Sequence, residues 1–363
     1  MDRSIDARGG RAVLRLGSAC SGSGGGHHRQ RRGSRHQEGR RRRETGLVPG
    51  AYQGALHEIS GHGFTAAIAE VGASLVSLEG PSGSLVRTTP PGGPREGCNG
   101  AILAPWPNRI RDGNYTFGGR THQLPLTEPE RHNAAHGLAL WERWNVVEKS
   151  SDAVTLSLDL VPQPGYPFEV RLKARYELAE GGLEWSVEAT NEGAEPAPYA
   201  VAGHPYLVAD GGDCLTPEAL DTWSLKIPAE EYLEVDPERL LPMEVRTVHG
   251  TEFDLRDGRL MGQQRFDHAF GAIARPGGGS FRCELTTNSG HGVFLECGPA
   301  IHWIQVYTDD QPEGVPGRRA VAVEPMTAPA DAFRSGCNLT ILEPGDSHRA
   351  WWRIGPIVGQ VHG

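Results

Sequence analysis

The chain has 363 residues, 37% of them hydrophobic and 22% charged, with 49 Gly and 27 Pro. That length supports a large buried core, and the Gly/Pro load argues against a helix bundle or coiled coil and for turn-rich β structure. The net charge of -9 is uneven: residues 1–50 carry 12 Arg, no Lys and four acidic residues, a net of +8, leaving 24 basic against 41 acidic side chains, a net of -17, in the rest. An acidic body repels phosphate backbones, so nucleic acid is not an expected partner, and no run of 18 apolar residues suggests a membrane-spanning helix.

Taken in chain order, residues 1–50 come first. Runs such as Ser21–Gly26 and Arg40–Arg43 carry too little apolar surface to offset chain entropy, so a disordered basic Gly/Ser/Arg-rich tail is expected there. From residue 51 to 363 one β-rich domain is expected. Val154–Leu160 alternates apolar and polar residues, the signature of a half-buried strand. Phe168–Leu178 puts Val170, Leu172, Ala174, Tyr176 and Leu178 on one face; Gly181 and Gly182 turn the chain, and Leu183, Trp185, Val187 and Ala189 alternate back. This is a hairpin pattern. A second pair is expected at Phe281–Leu285 and Val293–Cys297, followed by a strand over Ile301–Tyr307; short helices fit Thr216–Leu220 and Pro329–Phe333. Six scattered cysteines without a C-x-x-C pair read as reduced thiols of a cytoplasmic protein, with neither a zinc site nor a disulfide framework.

Dinucleotide, Walker A, zinc-protease and serine-hydrolase signatures are absent. What remains is a set of polar residues in apolar or Pro/Gly-rich surroundings: Asn108 and Arg109 after Ala104–Pro107, His136, His204, Asp267 beside His268, and Glu324 after Val321-Ala-Val. Each has an ordinary reading: a surface ion pair for Arg109, backbone-bonded core imidazoles for His136 and His204, a turn cap for Asp267. Glu324 resists it most, because a carboxylate at the end of a buried strand needs a fixed partner or a raised pKa. Spacing alone leaves the function undecided.

Taken together, these segments resemble the aldose 1-epimerase (galactose mutarotase) family. The likeness is carried, in the family's order, by Pro105–Phe117, His122–Leu126, Asn133-Ala-Ala-His-Gly137, Gly203-His-Pro-Tyr206, Phe266–Phe270, Ile304–Thr308 and Val323-Glu-Pro325. It runs from about residue 55 to 355 and departs from the usual pattern at Gly203, Leu138 and Asp309-Asp310. The resemblance implies a mostly β fold, a large antiparallel β-sandwich with an open sugar-binding cleft. It implies interconversion of the α and β anomers of a free aldohexose such as galactose or glucose, with Glu324 as general base and His204 as general acid. Such chemistry needs no redox cofactor and no metal, and its rate should be bell-shaped in pH. By the same resemblance Arg109, His136 and Asp267 hold the sugar, with Asn108 and Gln305 as further candidates. Trp106, Trp141 and Trp303 are candidates to stack on a sugar face or to fill the core. The implied partner is a small-molecule sugar, bound by a monomer or homodimer. Hexose-6-phosphate 1-epimerisation would want additional Arg or Lys in the cleft, and a non-catalytic sugar-binding protein would not need both Glu324 and His204.

Overall fold

Period-two alternation builds most of what the structure shows. A computed structural model describes residues 52–90, 92–212 and 216–359; the expected basic tail lies outside them. The hairpin Val170–Ala179/Gly182–Asn191 forms in the expected register, Ala179 opposite Gly182. Gly181 sits at φ +89°, a left-handed turn conformation open to glycine at little cost. Along the hairpin the five expected apolar residues of the first strand and four of the second are buried.

That hairpin belongs to a nine-stranded antiparallel sheet in which Ser347–Ile357 pairs both with Gly182–Asn191 and with Gly292–Cys297. Phe281–Thr286 and Gly292–Cys297 pair as expected. The other large sheet has twelve strands, among them Tyr206–Gly211, Val321–Met326, Trp303–Tyr307, Asp267–Ile273 and Ala229–Val235, adjacent in that order. One apolar core contains residues of both sheets, including Leu156, Tyr176, Trp185 and Trp352 from the first and Val86, Leu207, Ile304, Val306 and Val323 from the second. The architecture is therefore the expected large antiparallel β-sandwich.

In Trp303–Tyr307, Ile304 and Val306 enter the core, so Trp303, Gln305 and Tyr307 lie on the opposite face of the twelve-stranded sheet. Phe270 enters the core likewise, leaving Asp267 and Ala269 on that opposite face. A small apolar cluster there, including Leu103, Ala202, Ala269, Trp303 and Met326, floors the region beside the candidate site.

The two expected helices form later and shorter. A 3-10 turn runs over Ala219–Thr222 and an α-helical turn over Ala332–Ser335. Glu218 (φ +61°) and Asp331 (φ +59°) hold left-handed conformations that no helix can pass through, so each begins at the next residue. Likewise the strand expected from Ile301 starts at Trp303.

Candidate active site

All seven candidate site residues, Asn108, Arg109, His136, His204, Asp267, Gln305 and Glu324, line one cavity of about 230 Å³. Three neighbouring strands deliver three of them in register. Glu324 lies opposite Gln305, and Gln305 opposite Ala269, two residues along from Asp267. The Gln305 amide Nε2 donates to Asp267 Oδ1 at 2.6 Å, fixing both side chains on the cleft face.

His204 follows the short strand Ala202–Gly203; its N–H donates to the Ala101 carbonyl at 3.0 Å, and its own carbonyl accepts from Gly100 N–H at 2.8 Å. Gly203 is required by packing. A Cβ there would stand 2.5 Å from Cζ2 of Trp352 and 3.2 Å from Cη2 of Trp185, so a larger residue has no room.

The short strands Arg109–Arg111 and Asn133–Ala135 pair with each other, and the His136 N–H donates to the Asn108 carbonyl at 2.8 Å. Asn108 (φ +54°) and His136 (φ +65°) both occupy the left-handed region, where Asn and His are tolerated better than most residues. Arg109 is held by a fork: Nε and Nη2 donate to Glu128 Oε2 and Oε1 at 2.9 and 3.1 Å, while Nη2 also approaches Asp267 Oδ2 at 3.7 Å. Glu128 is held in turn by Asn133 Nδ2 at 3.0 Å and Arg131 Nη1 at 3.1 Å. Burial works against charge on Arg109, yet Asp267, Glu128 and Glu324 raise its pKa further. Burial likewise opposes the Glu128 charge, and Arg109, Asn133 and Arg131 together outweigh it, lowering that pKa.

Glu324 and His204 meet directly, His204 Nε2 lying 3.3 Å from Glu324 Oε1, and both side chains are almost completely buried. Glu324 Oε2 and His204 Nδ1 have no hydrogen-bond partner. Burial, reinforced by Asp267, drives the Glu324 pKa well above its ordinary value; burial and His136 drive that of His204 well below its own. Both shifts favour the neutral forms, a protonated carboxyl and an uncharged imidazole. His136, whose ring centroid is 5.8 Å from that of His204, is pushed down to about 4 by burial and by Arg109, so it too is neutral at pH 7.

None of Trp106, Trp141 and Trp303 lines the cavity. Trp106 packs edge-on to Phe333 in the core, and Trp141 is exposed beneath Arg95. Trp303 lies across Gly271, where an added Cβ would meet its ring at 2.6 Å, and its indole N–H donates to Asn338 Oδ1 at 2.9 Å. The aromatic wall is Tyr206 and Tyr307 instead, with Cys98, Arg131 and Leu240 completing the lining. Tyr206 stacks on His204 (5.2 Å between centroids, 23° between planes), and the Arg87 guanidinium lies 3.7 Å from the centroid of that same ring. Leu240 arrives on the tip of the hairpin Ala229–Val235/Pro242–Thr247, pinned by Arg239 donating to the carbonyls of Arg131 (2.9 Å) and His132 (2.8 Å).

Comparison with known proteins agrees with this geometry. The sequence profile described as Aldose 1-epimerase matches residues 56–355. The chain belongs to the aldose 1-epimerase family. Among relatives, a protein of uncharacterised function, YihR from Escherichia coli (strain K12), is 32% identical over 293 residues, spanning 80% of this chain and 90% of that one. The galactose mutarotase of Mus musculus is 27% identical over 281 residues, spanning 70% of this chain and 78% of its own. Among solved structures, an aldose epimerase homologue from C. elegans superposes with a TM-score of 0.74 at 20% identity, covering 84% of this chain and 99% of that one. The last comparison bears on fold alone, and the fold is galactose mutarotase-like.

Proposed function

We propose that the cavity is the active site of an aldose 1-epimerase acting on a free aldohexose, galactose or glucose. The observation that carries this reading is the direct approach of Glu324 and His204 at 3.3 Å. Anomer exchange requires a proton to leave the C1 hydroxyl while another reaches the ring oxygen. Both oxygens are bonded to C1, so the two groups that serve them must be neighbours. A single proton shared by a carboxyl and an imidazole supplies one acid and one base in either tautomer, which suits a reaction that runs both ways. From the tautomer with the shared proton on the imidazole, Glu324 takes the C1 hydroxyl proton and His204 protonates the ring oxygen. The C1–O5 bond breaks to give the open aldehyde, C1 rotates about C1–C2, and closure with the roles exchanged yields the other anomer. The proton count of the pair is restored at each turnover. Arg109, Asp267, Gln305, Asn108 and neutral His136 offer fixed donors and acceptors for the sugar hydroxyls.

Polarimetry on freshly dissolved α-D-galactose and α-D-glucose tests this reading. The wild type should speed mutarotation, and Glu324→Gln and His204→Asn should each lose at least about 100-fold while remaining folded. A wild type that adds nothing to the spontaneous rate with either sugar would sink it.

A further inference from the structure

Beside the catalytic cavity lies a larger one of about 550 Å³, and the two share Gly97, Tyr206 and Tyr307. The catalytic cavity, at about 230 Å³, is smaller than the roughly 300–1,000 Å³ of sites for drug-sized ligands, and suits a single sugar ring. The neighbouring chamber has no role in proton transfer. Its charged groups are matched: Arg87 pairs with Asp309 at 3.0 Å, and Arg319 with Glu96 at 3.4 Å. Two cations against two carboxylates leave no net charge to draw a phosphate or another anion. The chamber offers neutral contacts instead. The Gln311 amide and the Arg319 side chain line it, and Tyr307, Val315 and Pro316 provide aromatic and apolar surface beside them. An apolar wall with a few directed polar atoms is the surface that holds a polyhydroxylated ring.

Covalent structure fixes which part of the substrate faces this chamber. The ring oxygen of a hexopyranose is bonded to C1 and C5, and C5 carries C6. The imidazole that serves the ring oxygen therefore faces the C5–C6 edge. Tyr206, stacked on that imidazole, is also a wall of the second chamber. We propose that the chamber receives a neutral sugar linked through O6 of the reacting hexose, so that the preferred substrate is the reducing end of a 1→6-linked disaccharide. The glycosidic bond itself takes no part in the reaction. This inference rests on the anomer-exchange reading above and names its substrate class.

Anomer exchange at equilibrium, followed by NMR magnetisation transfer, is the test. The probes are D-glucose, D-galactose, maltose (1→4), isomaltose and melibiose (both 1→6), and glucose 6-phosphate. The 1→6 disaccharides should exceed glucose and maltose in kcat/KM by about tenfold, the scale of a few well-made pocket contacts. Val315 is 53% exposed, so Val315→Trp can fill the chamber rim without disturbing the core. That variant should abolish the disaccharide preference while leaving glucose within about twofold. Arg319→Gln, which removes a guanidinium from the chamber lining, should halve the preference or more and serves if the first variant misfolds. A 1→6 disaccharide no better than glucose or maltose, glucose 6-phosphate as the best substrate, or equal slowing of every sugar by Val315→Trp would each overturn this inference alone. Failure to accelerate any of the sugars would overturn the acid/base reading, and this inference with it.

Discussion

The two halves of the candidate site follow opposite plans. Around Arg109 the charges are matched within the protein: Glu128 grips the guanidinium with both oxygens, Asn133 and Arg131 hold Glu128, and Gln305 holds Asp267. Around His204 the reverse holds. Two titratable side chains are buried in contact, each with a polar atom left unpartnered, and their pKa values are driven in opposite directions. A satisfied network is rigid and positions; an unsatisfied one waits for a partner and reacts. Fold stability is therefore served by the first half and taxed by the second.

The strongest way to break this comparison is to substitute each half and ask which kinetic constant moves. Glu324→Gln should lower kcat by about 10²–10⁴-fold with KM little changed. Arg109→Lys keeps the charge but not the fork, and should raise KM by about ten- to a hundredfold with a smaller effect on kcat. A KM effect of Glu324→Gln as large as that of Arg109→Lys would erase the division of labour. Glu128→Gln touches no sugar and acts only through the guanidinium, so its KM rise should be about three- to tenfold and should vanish in the Arg109→Lys background.

The pH–rate profile sharpens the same contrast. The active one-proton form of the pair is bounded in acid by protonation of His204, displaced below its ordinary 6.5, and in alkali by ionisation of Glu324, displaced above its ordinary 4.5. Direct contact and burial thus broaden the expected bell into a plateau across neutrality with a fall at each extreme. A narrow optimum whose limbs sit at the ordinary His and Glu values would show the two groups to be solvated and apart.

Stability should move least, and with opposite sign in the two halves. Folded Glu324 binds its proton more tightly than the unfolded chain does. The stability this contributes is present below the unfolded value of 4.5 and is lost as pH rises towards the folded pKa. Glu324→Gln escapes that loss, so its Tm should match the wild type near about pH 4 and exceed it by a few degrees near about pH 7.5. Arg109→Ala strands two half-buried carboxylates, Glu128 and Asp267, and should lower the Tm at neutral pH. Thermal melts of the two variants at both pH values decide the matter.

Much of this was legible before the structure. The strands whose residues alternate over a full hairpin, Val170–Ala179 and Gly182–Asn191, lie where alternation put them, because one face of each is buried and register then has no freedom. The helices at Ala219 and Ala332 were displaced by a left-handed residue in front of each, a conformation that side-chain identity at Glu218 and Asp331 does not announce. The seven polar candidates line one cavity, but the side chains that hold them there were invisible in the sequence. Glu128 and Arg131 come from a 3-10 turn and its flank, Leu240 from a distant hairpin tip pinned by Arg239, and Cys98 from an irregular loop. Those contacts are set by tertiary closure, which leaves no periodic trace. Tyr206 and Tyr307 were within reach, since both sit inside the motifs that carried the resemblance. The tryptophans drew the eye instead, but Trp106 fills the core, Trp303 packs on Gly271 and Trp141 lies exposed under Arg95.

Gly203 joins the His204 imidazole to the far layer of the sandwich, its missing side chain occupied by the edges of Trp352 and Trp185. An engineer seeking a new sugar specificity by varying residues around His204 will therefore find position 203 closed unless Trp352 is made smaller in the same step. Each such exchange empties part of a core in which truncating a buried Trp costs about 3–5 kcal/mol. The freedom of the His204 loop to diversify is set by two indoles that lie outside the cavity.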